Sequence, residues 1–431
     1  VAIRDHLRAL EASPEGHAIV YFNAHFPVPG WLKGMPFDAV LLHTTLLCMR
    51  WSEIFPSWSR RLDWLAGLSC VKAAIPQDEY DHSQVLDEWL ARLGVTDVFS
   101  CLHPRHWPLL YPTLHGRARF HRCLTAYIDG GAAERWRPRL LPLARRPVDI
   151  VYRATRLPFH FGSQGQLKHQ IAERVAEAAA RHGLSTDIST RPEDTILGDA
   201  WYGFLARGRA VIGCESGSSV LDRRGEVAAR IREILSENPH LDFSEVSRRM
   251  PEGWDSHRFF ALSARHLEAV VTRTCQVLVE GEYDGVLLPD VHYIPLARDF
   301  SNLDEVMERL RDHARMQEMA DRAYEDLYLR GDFTFRRLAR QFDQALGRSH
   351  PPPGLLARLA AWASRHRPWG LHEPAPLDLF PGGRWPSSED GFCRRLRRRL
   401  VALPPGRWLD QRLFKPFHRW WEARRLERWQ R

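Results

Sequence analysis

The sequence predicts an α/β protein made of two doubly wound halves in series, followed by a basic tail. Three observations carry this. Short apolar runs alternate with helical stretches from residue 18 to residue 98. The same alternation restarts at residue 148, after a stretch rich in Pro and Arg. The 431 residues, 44% hydrophobic and 26% charged, suit two globular domains with an appendage and exclude a disordered, collagenous or disulfide-stapled chain.

In the first half, AIVYF (18–22), DAVLLH (38–43), VKAAIP (71–76) and TDVFS (96–100) read as buried parallel strands, each short and flanked by polar residues or Gly. SQVLDEWLARLG has helical spacing and a Gly stop at Gly94. Residues 104–147 read as the connection, which places the first domain at 1–147. The second domain, 148–345, opens with the strand VDIVYRA (148–154) and the helix QLKHQIAERVAEAAARHG (166–183). LSTDIS, a helix at DAWYGFLARG and the strand AVIGCE (210–215) follow. A polar helical insert covers about 222–257. Then come the helix LSARHLEAVVTRT, the strand QVLVEG (276–281), HYIPLARDF as strand plus loop, and one long helical stretch over 302–329. Residues 346–390, with PPPG, HEPAP and FPGGRWPSS, read as a Pro-rich linker, and 391–431 as the tail.

The charge is unevenly placed. The chain carries a formal +8, yet residues 394–431 hold 13 Lys/Arg against 3 Asp/Glu, so the rest is close to neutral. A nucleic-acid enzyme spreads basic charge over its binding face, which this body does not do. Trp408, Trp420, Trp421 and Trp429 interleave with the tail's arginines, the composition of a segment lying on an anionic bilayer; a helical pair docked on the body by its Trp residues is the alternative. No run of 18 apolar residues exists, and VAIRDHLRAL lacks a signal peptide's apolar core. The start at Val1 suggests a missing upstream segment. Seven scattered cysteines without CxxC spacing fit reduced thiols in a cytoplasm.

Two doubly wound halves leave a crevice at the carboxyl ends of their strands, so polar strand ends are the candidates. These are His43, Gln77-Asp78-Glu79, Arg153, Glu215 and Glu280, each a site residue or a structural ion pair. Gly213-Cys-Glu-Ser-Gly-Ser-Ser219 is a strand followed by a Gly/Ser turn that lets backbone amides approach a phosphate, though a plain strand-to-helix turn has the same composition. Arg153 and Lys168 flank the second domain's first loop, as a diphosphate clamp or as solvated charges. HExxH, GxSxG, DxD between apolar strands and His/Cys clusters are all absent from the sequence. Asp78-Glu79-Tyr80-Asp81 mimics a metal site, but carboxylates in a turn more often cap or face solvent. No metal and no cofactor is expected.

YRATRLPFHFG…LKHQIAERV, GCESGSS, the R-x-x-E-A pattern from Arg265 to Ala269 and HYIPL…DFSN together resemble the C-terminal half of GT-B glycosyltransferases of the surface-polysaccharide branch, related to family 1/4-type enzymes. IPQDEYD (75–81) fits the N-terminal half, and the resemblance spans roughly residues 15–345. It implies two Rossmann-like domains facing a cleft, the first on the acceptor side and the second on the donor side. It implies donor binding by Arg153, Lys168, Glu215, Ser216, Ser218, Ser219, Arg265, Glu268, His292 and Tyr293. Glu268 would hold the nucleotide ribose. The family's second Glu, eight residues earlier, falls at Phe260, so Glu282, Glu215 or His292 would stand in and the stereochemistry is not readable. An acceptor base would come from Asp78, Glu79 or His43, with Asp78 preferred; His25 and His160 lie in loops that could line the cleft. The implied function is transfer of a sugar from a nucleotide-sugar to a glycan or lipid-linked acceptor, without nucleic acid, by a cytoplasmic enzyme at the inner face of the plasma membrane. A nucleotide-sugar epimerase and a non-catalytic nucleotide- or sugar-binding module are the alternatives.

Overall fold

The computed structural model describes residues 2–347 and 354–366. Packing gathers Val1–His372 into one unit. The tail at 391–431 and most of the Pro-rich stretch lie outside the described residues.

Two parallel sheets organise the described chain. The first contains β1 (Ala39–His43), β2 (Val71–Ile75), β3 (Asp97–Ser100) and β4 (Arg119–Arg122), side by side in chain order. The alternating faces of these strands meet different covers. Leu42, Ala74 and Val98 pack with Leu86, Trp89 and Leu90 of helix Ser83–Arg92. Ala73, Ile75 and Phe99 pack with Leu338 and Phe342 of helix Phe335–Leu346, a segment from far along the chain.

The second sheet contains β5 (Val148–Arg153), β6 (Thr186–Ser189), β7 (Gly208–Gly213), β10 (Cys275–Val279) and β11 (Ile294–Leu296), in the order β11-β10-β7-β5-β6. All its pairs are parallel. One face buries Leu167, Ile171 and Val175 of helix Gly162–Arg181; the other buries Phe204 and Leu205 of helix Asp199–Arg207. The order reverses between β5 and β7, which makes this sheet doubly wound and opens a crevice beyond the carboxyl ends of those two strands. A short antiparallel ladder, β8 (Ser216–Ser218) with β9 (Phe259–Ala261), brackets the polar insert, whose helices are Glu226–Glu237 and Phe243–Ser247.

Loops after the strands of the first sheet touch loops after the strands of the second. Asp222 N donates to the Tyr80 carbonyl (2.9 Å) and Ser83 N to the Asp222 carbonyl (3.1 Å). Arg105 pairs with Glu282 (3.1 Å), Arg122 with Asp284, and the Thr125 hydroxyl donates to the Leu262 carbonyl.

Four sequence expectations are corrected. AIVYF (18–22) is not a strand; the Tyr21 amide donates to Ser364 Oγ (3.0 Å) in helix Leu355–His366, and the run pairs with no strand among the described residues. That helix falls within the stretch read as linker. The connection 104–147 contains β4, whose charged RFHR sequence hides a strand because Arg119 and His121 face the buried carboxylate of Asp97 (2.9 and 2.7 Å). The helical stretch 302–329 is broken into Leu303–Arg309 and His313–Tyr324, where Asp312 accepts from Arg315 N and starts a new helix, before a π-helical turn at Glu325–Leu329.

Candidate functional site

At the reversal point, Tyr152 of β5, Gly213 and Cys214 at the end of β7, Lys168, Ser263, Arg265 and His266 line a small cavity. Its chemistry is decided by how the cations are held. Elsewhere three buried cations are held by hydrogen bonds to carbonyls. Arg50 donates to the carbonyls of Leu47, Gln77, Asp78 and Asp81. Lys72 donates to those of Leu65, Ala66 and Leu68. Arg146 donates to those of Leu141, Gly208, Thr272 and Arg273.

Lys168 differs. No hydrogen bond or ion pair holds its ammonium among the described residues, and burial lowers its pKa. Arg265 contacts the Tyr152 hydroxyl and has no carboxylate partner among the described residues. Arg298, just past β11, is the third cation whose field reaches Cys214. Gln164 Oε1 accepts from its guanidinium (2.7 Å), while Gln164 Nε2 donates to the Glu215 carbonyl (2.8 Å). Burial outweighs these charges at Cys214 and raises its pKa, so the thiol stays protonated. His266, bonded to the Cys214 carbonyl, is pushed down to about 4 by burial and is neutral at pH 7. The cavity therefore presents two positive charges, Lys168 and Arg265, with no carboxylate bonded to either among the described residues. Lys168 and Arg265 are half-buried and Arg298 is exposed, so an anionic ligand reaching them gains charge-assisted hydrogen bonds.

The other residues proposed from sequence fall into several places. Arg153 turns away from the cavity, bonded to Asp187 (2.6 Å) and lying over the Phe204 ring (4.5 Å). Glu268 accepts from Trp201 Nε1 (2.7 Å), and burial raises its pKa. Glu215 accepts from the Tyr283 amide (2.8 Å); a side chain at Gly281 would meet its carboxylate at 2.5 Å, which explains that glycine. Ser216, Ser218 and Ser219 belong to the turn into the β8–β9 ladder. Ser218 donates to the Phe161 carbonyl (3.1 Å), and Ser219 Oγ accepts from Gln164 N at the start of the long helix (3.2 Å). Gly217, at φ 112°, would carry a Cβ 1.9 Å from the Phe259 carbonyl, so the ladder itself demands it. His292 is buried against Asp326 and the Leu288 amide, and Tyr293 is buried in the core. Glu282 is exposed and pairs with Arg105.

On the first sheet, Asp78 follows β2 at φ 49° and accepts from the Tyr80 hydroxyl (2.6 Å). Its charge acts on Lys168, against the lowering by burial. Glu79 is fully buried, accepting from Ser100 Oγ, Cys101 N and the Tyr111 hydroxyl, and burial raises its pKa. His43 bonds His6 (2.9 Å) and Thr45, and burial pushes it down to about 3. His160 is lowered by burial and lies within the field of Asp81, Asp222 and His82. Sequence reasoning missed Arg298, Gln164 and Tyr152; the only available signal was the position of Tyr152 on a strand already assigned.

No family model matches the chain, and no curated protein matches it. Among solved structures it is similar to TarM, with 6% identity and a TM-score of 0.43 over 74% of this chain; the chain spans 57% of TarM. It is similar to Anabaena Alr3699/HepE in complex with UDP, with 12% identity and a TM-score of 0.35, covering 67% of this chain and 76% of that one. It is also similar to a trehalose-6-phosphate synthase studied for glycosyltransfer with retention, with 13% identity and a TM-score of 0.38, covering 72% and 74%.

Proposed function

We propose that the protein is a GT-B glycosyltransferase that moves a sugar from a nucleotide-sugar donor to a glycan or lipid-linked acceptor. The observation that carries this is the pair Lys168 and Arg265 lining the cavity at the strand-order reversal, neither in an ion pair among the described residues. The sequence resemblance supports it independently at Lys168 and Glu268.

Glycosyl transfer breaks a bond to a diphosphate, and negative charge grows on the leaving phosphate as the sugar gains oxocarbenium character. Fixed cations aimed at that phosphate stabilise the transition state more than the ground state. Lys168 and Arg265 hold the diphosphate. Glu268, oriented by Trp201, accepts from the ribose hydroxyls. Asp78, after β2 of the first sheet, takes the acceptor's proton. The protein's own cations do the charge work, so no divalent ion is required. The Arg- and Trp-rich tail, net +10 over 394–431, holds the enzyme at the inner face of an anionic membrane, near a lipid-linked acceptor in surface-polysaccharide synthesis.

The test is nucleoside diphosphate release from a panel of nucleotide-sugars, with and without a lipid-phosphate acceptor extract. One donor should release its nucleoside diphosphate, and Arg265→Gln should abolish the release. Nucleotide binding with no release from any donor, acceptor extract included, would leave a binding module instead.

A further inference from the structure

Several arginines here have a carboxylate: Arg105 with Glu282, Arg122 with Asp284, Arg153 with Asp187, Arg209 with Asp149. Arg258 and Arg298 do not. Both lie over the ring of Phe260, with Cζ 5.3 and 5.6 Å from its centroid, and neither forms an ion pair among the described residues. Both are exposed, and an anion that reaches both guanidinium groups gains a charge-assisted hydrogen bond from each.

The group is built rather than incidental. Gln164, 1% exposed, fixes Arg298. Phe260 is fixed by the pairing of β9 with Gly217. His106, from the loop after β3, bonds the Arg258 carbonyl and packs on Phe259 at 5.0 Å between centroids; His257 stacks on the same ring at 4.9 Å. The cluster thus sits at the seam where the first sheet's loops meet the second half.

We propose that Arg258, Phe260 and Arg298 form a second anion subsite, which takes a phosphate or carboxylate carried by the acceptor. Two guanidinium groups suit a bidentate oxyanion, and the ring supplies an apolar floor for the group that bears it. The subsite rests on the glycosyltransferase reading for its role but not for its existence.

The test is calorimetric titration of the full chain at low ionic strength, saturated with UDP, using inorganic phosphate and acetate in separate arms. One further anion should bind, and the tighter of the two identifies the acceptor's group. Arg258→Gln should weaken it at least tenfold and Phe260→Leu should weaken it too, while the affinity for UDP changes less than twofold. Absence of binding by both anions, or unchanged binding in Arg258→Gln, overturns the subsite. Arg258-dependent anion binding in a protein that does not bind UDP keeps the subsite and removes the nucleotide reading.

Discussion

Lys168→Met separates a ligand-binding cation from a structural one, because the two respond oppositely. The ammonium of Lys168 makes no hydrogen bond in the free protein, and burial holds its pKa down. Its charged form is thus disfavoured by folding. Removing it leaves no orphaned acceptor, so the free protein should be as stable as wild type or more stable. The matched control is Arg50→Met. That change strands four carbonyls, and at about 1 kcal/mol for each lost hydrogen bond it should cost roughly 4 kcal/mol. For ligand the order reverses. A hydrogen bond to a charged group is worth about 1.5–3 kcal/mol, so Lys168→Met should weaken nucleoside diphosphate binding roughly 10- to 150-fold. Thermal melts of the free proteins and calorimetric titration with UDP read both quantities. A Lys168→Met protein that melts well below wild type and binds UDP normally would show that the ammonium is structural, and the reasoning would fail.

Other outcomes follow from the same geometry. Gln164→Leu frees Arg298 from its tether and should lower kcat about tenfold with little change in UDP affinity, measured by diphosphate release. Acid should destabilise the fold through the His6–His43 pair: both are buried neutral, at about 4 and about 3, so the unfolded chain binds more protons below pH 6.5. Stability is then lost as pH falls from 6.5 toward 4, by about 3 kcal/mol for His6 alone, and His6→Phe should flatten that limb of a pH-dependent urea series. EDTA should leave turnover unchanged; loss restored by a divalent ion would show that the protein's cations do not suffice. Deleting 391–431 should abolish binding to anionic vesicles while nucleoside diphosphate release continues; vesicle binding by the truncated chain would place the membrane contact elsewhere.

Much of the fold was legible because buried parallel strands are short apolar runs with period-independent hydrophobicity. VKAAI, VDIVYR and CQVLV lie where that pattern puts them. AIVYF has the same pattern, but its Tyr21 amide finds its partner in Ser364, more than three hundred residues later, which no local window contains. β4 failed for the opposite reason: its charges are satisfied by one buried carboxylate on the neighbouring strand. The site was legible in part. Lys168 and Arg265 stand out by resemblance, and the cavity brings them together. Arg298 did not, because its meaning comes from Gln164, 134 residues away. Nor did the sequence reveal that His6 covers His43, or that Glu79 is sealed by three donor residues. Strand-end position nominates a polar residue; only its partners decide whether it is free to act.

The most direct measurement is a crystal structure of the protein with a bound nucleoside diphosphate. The diphosphate should lie within hydrogen-bond distance of Lys168 Nζ and the Arg265 guanidinium, beyond the carboxyl ends of β5 and β7, with the ribose against Glu268. A nucleotide bound elsewhere, leaving these cations without a phosphate, would contradict the assignment.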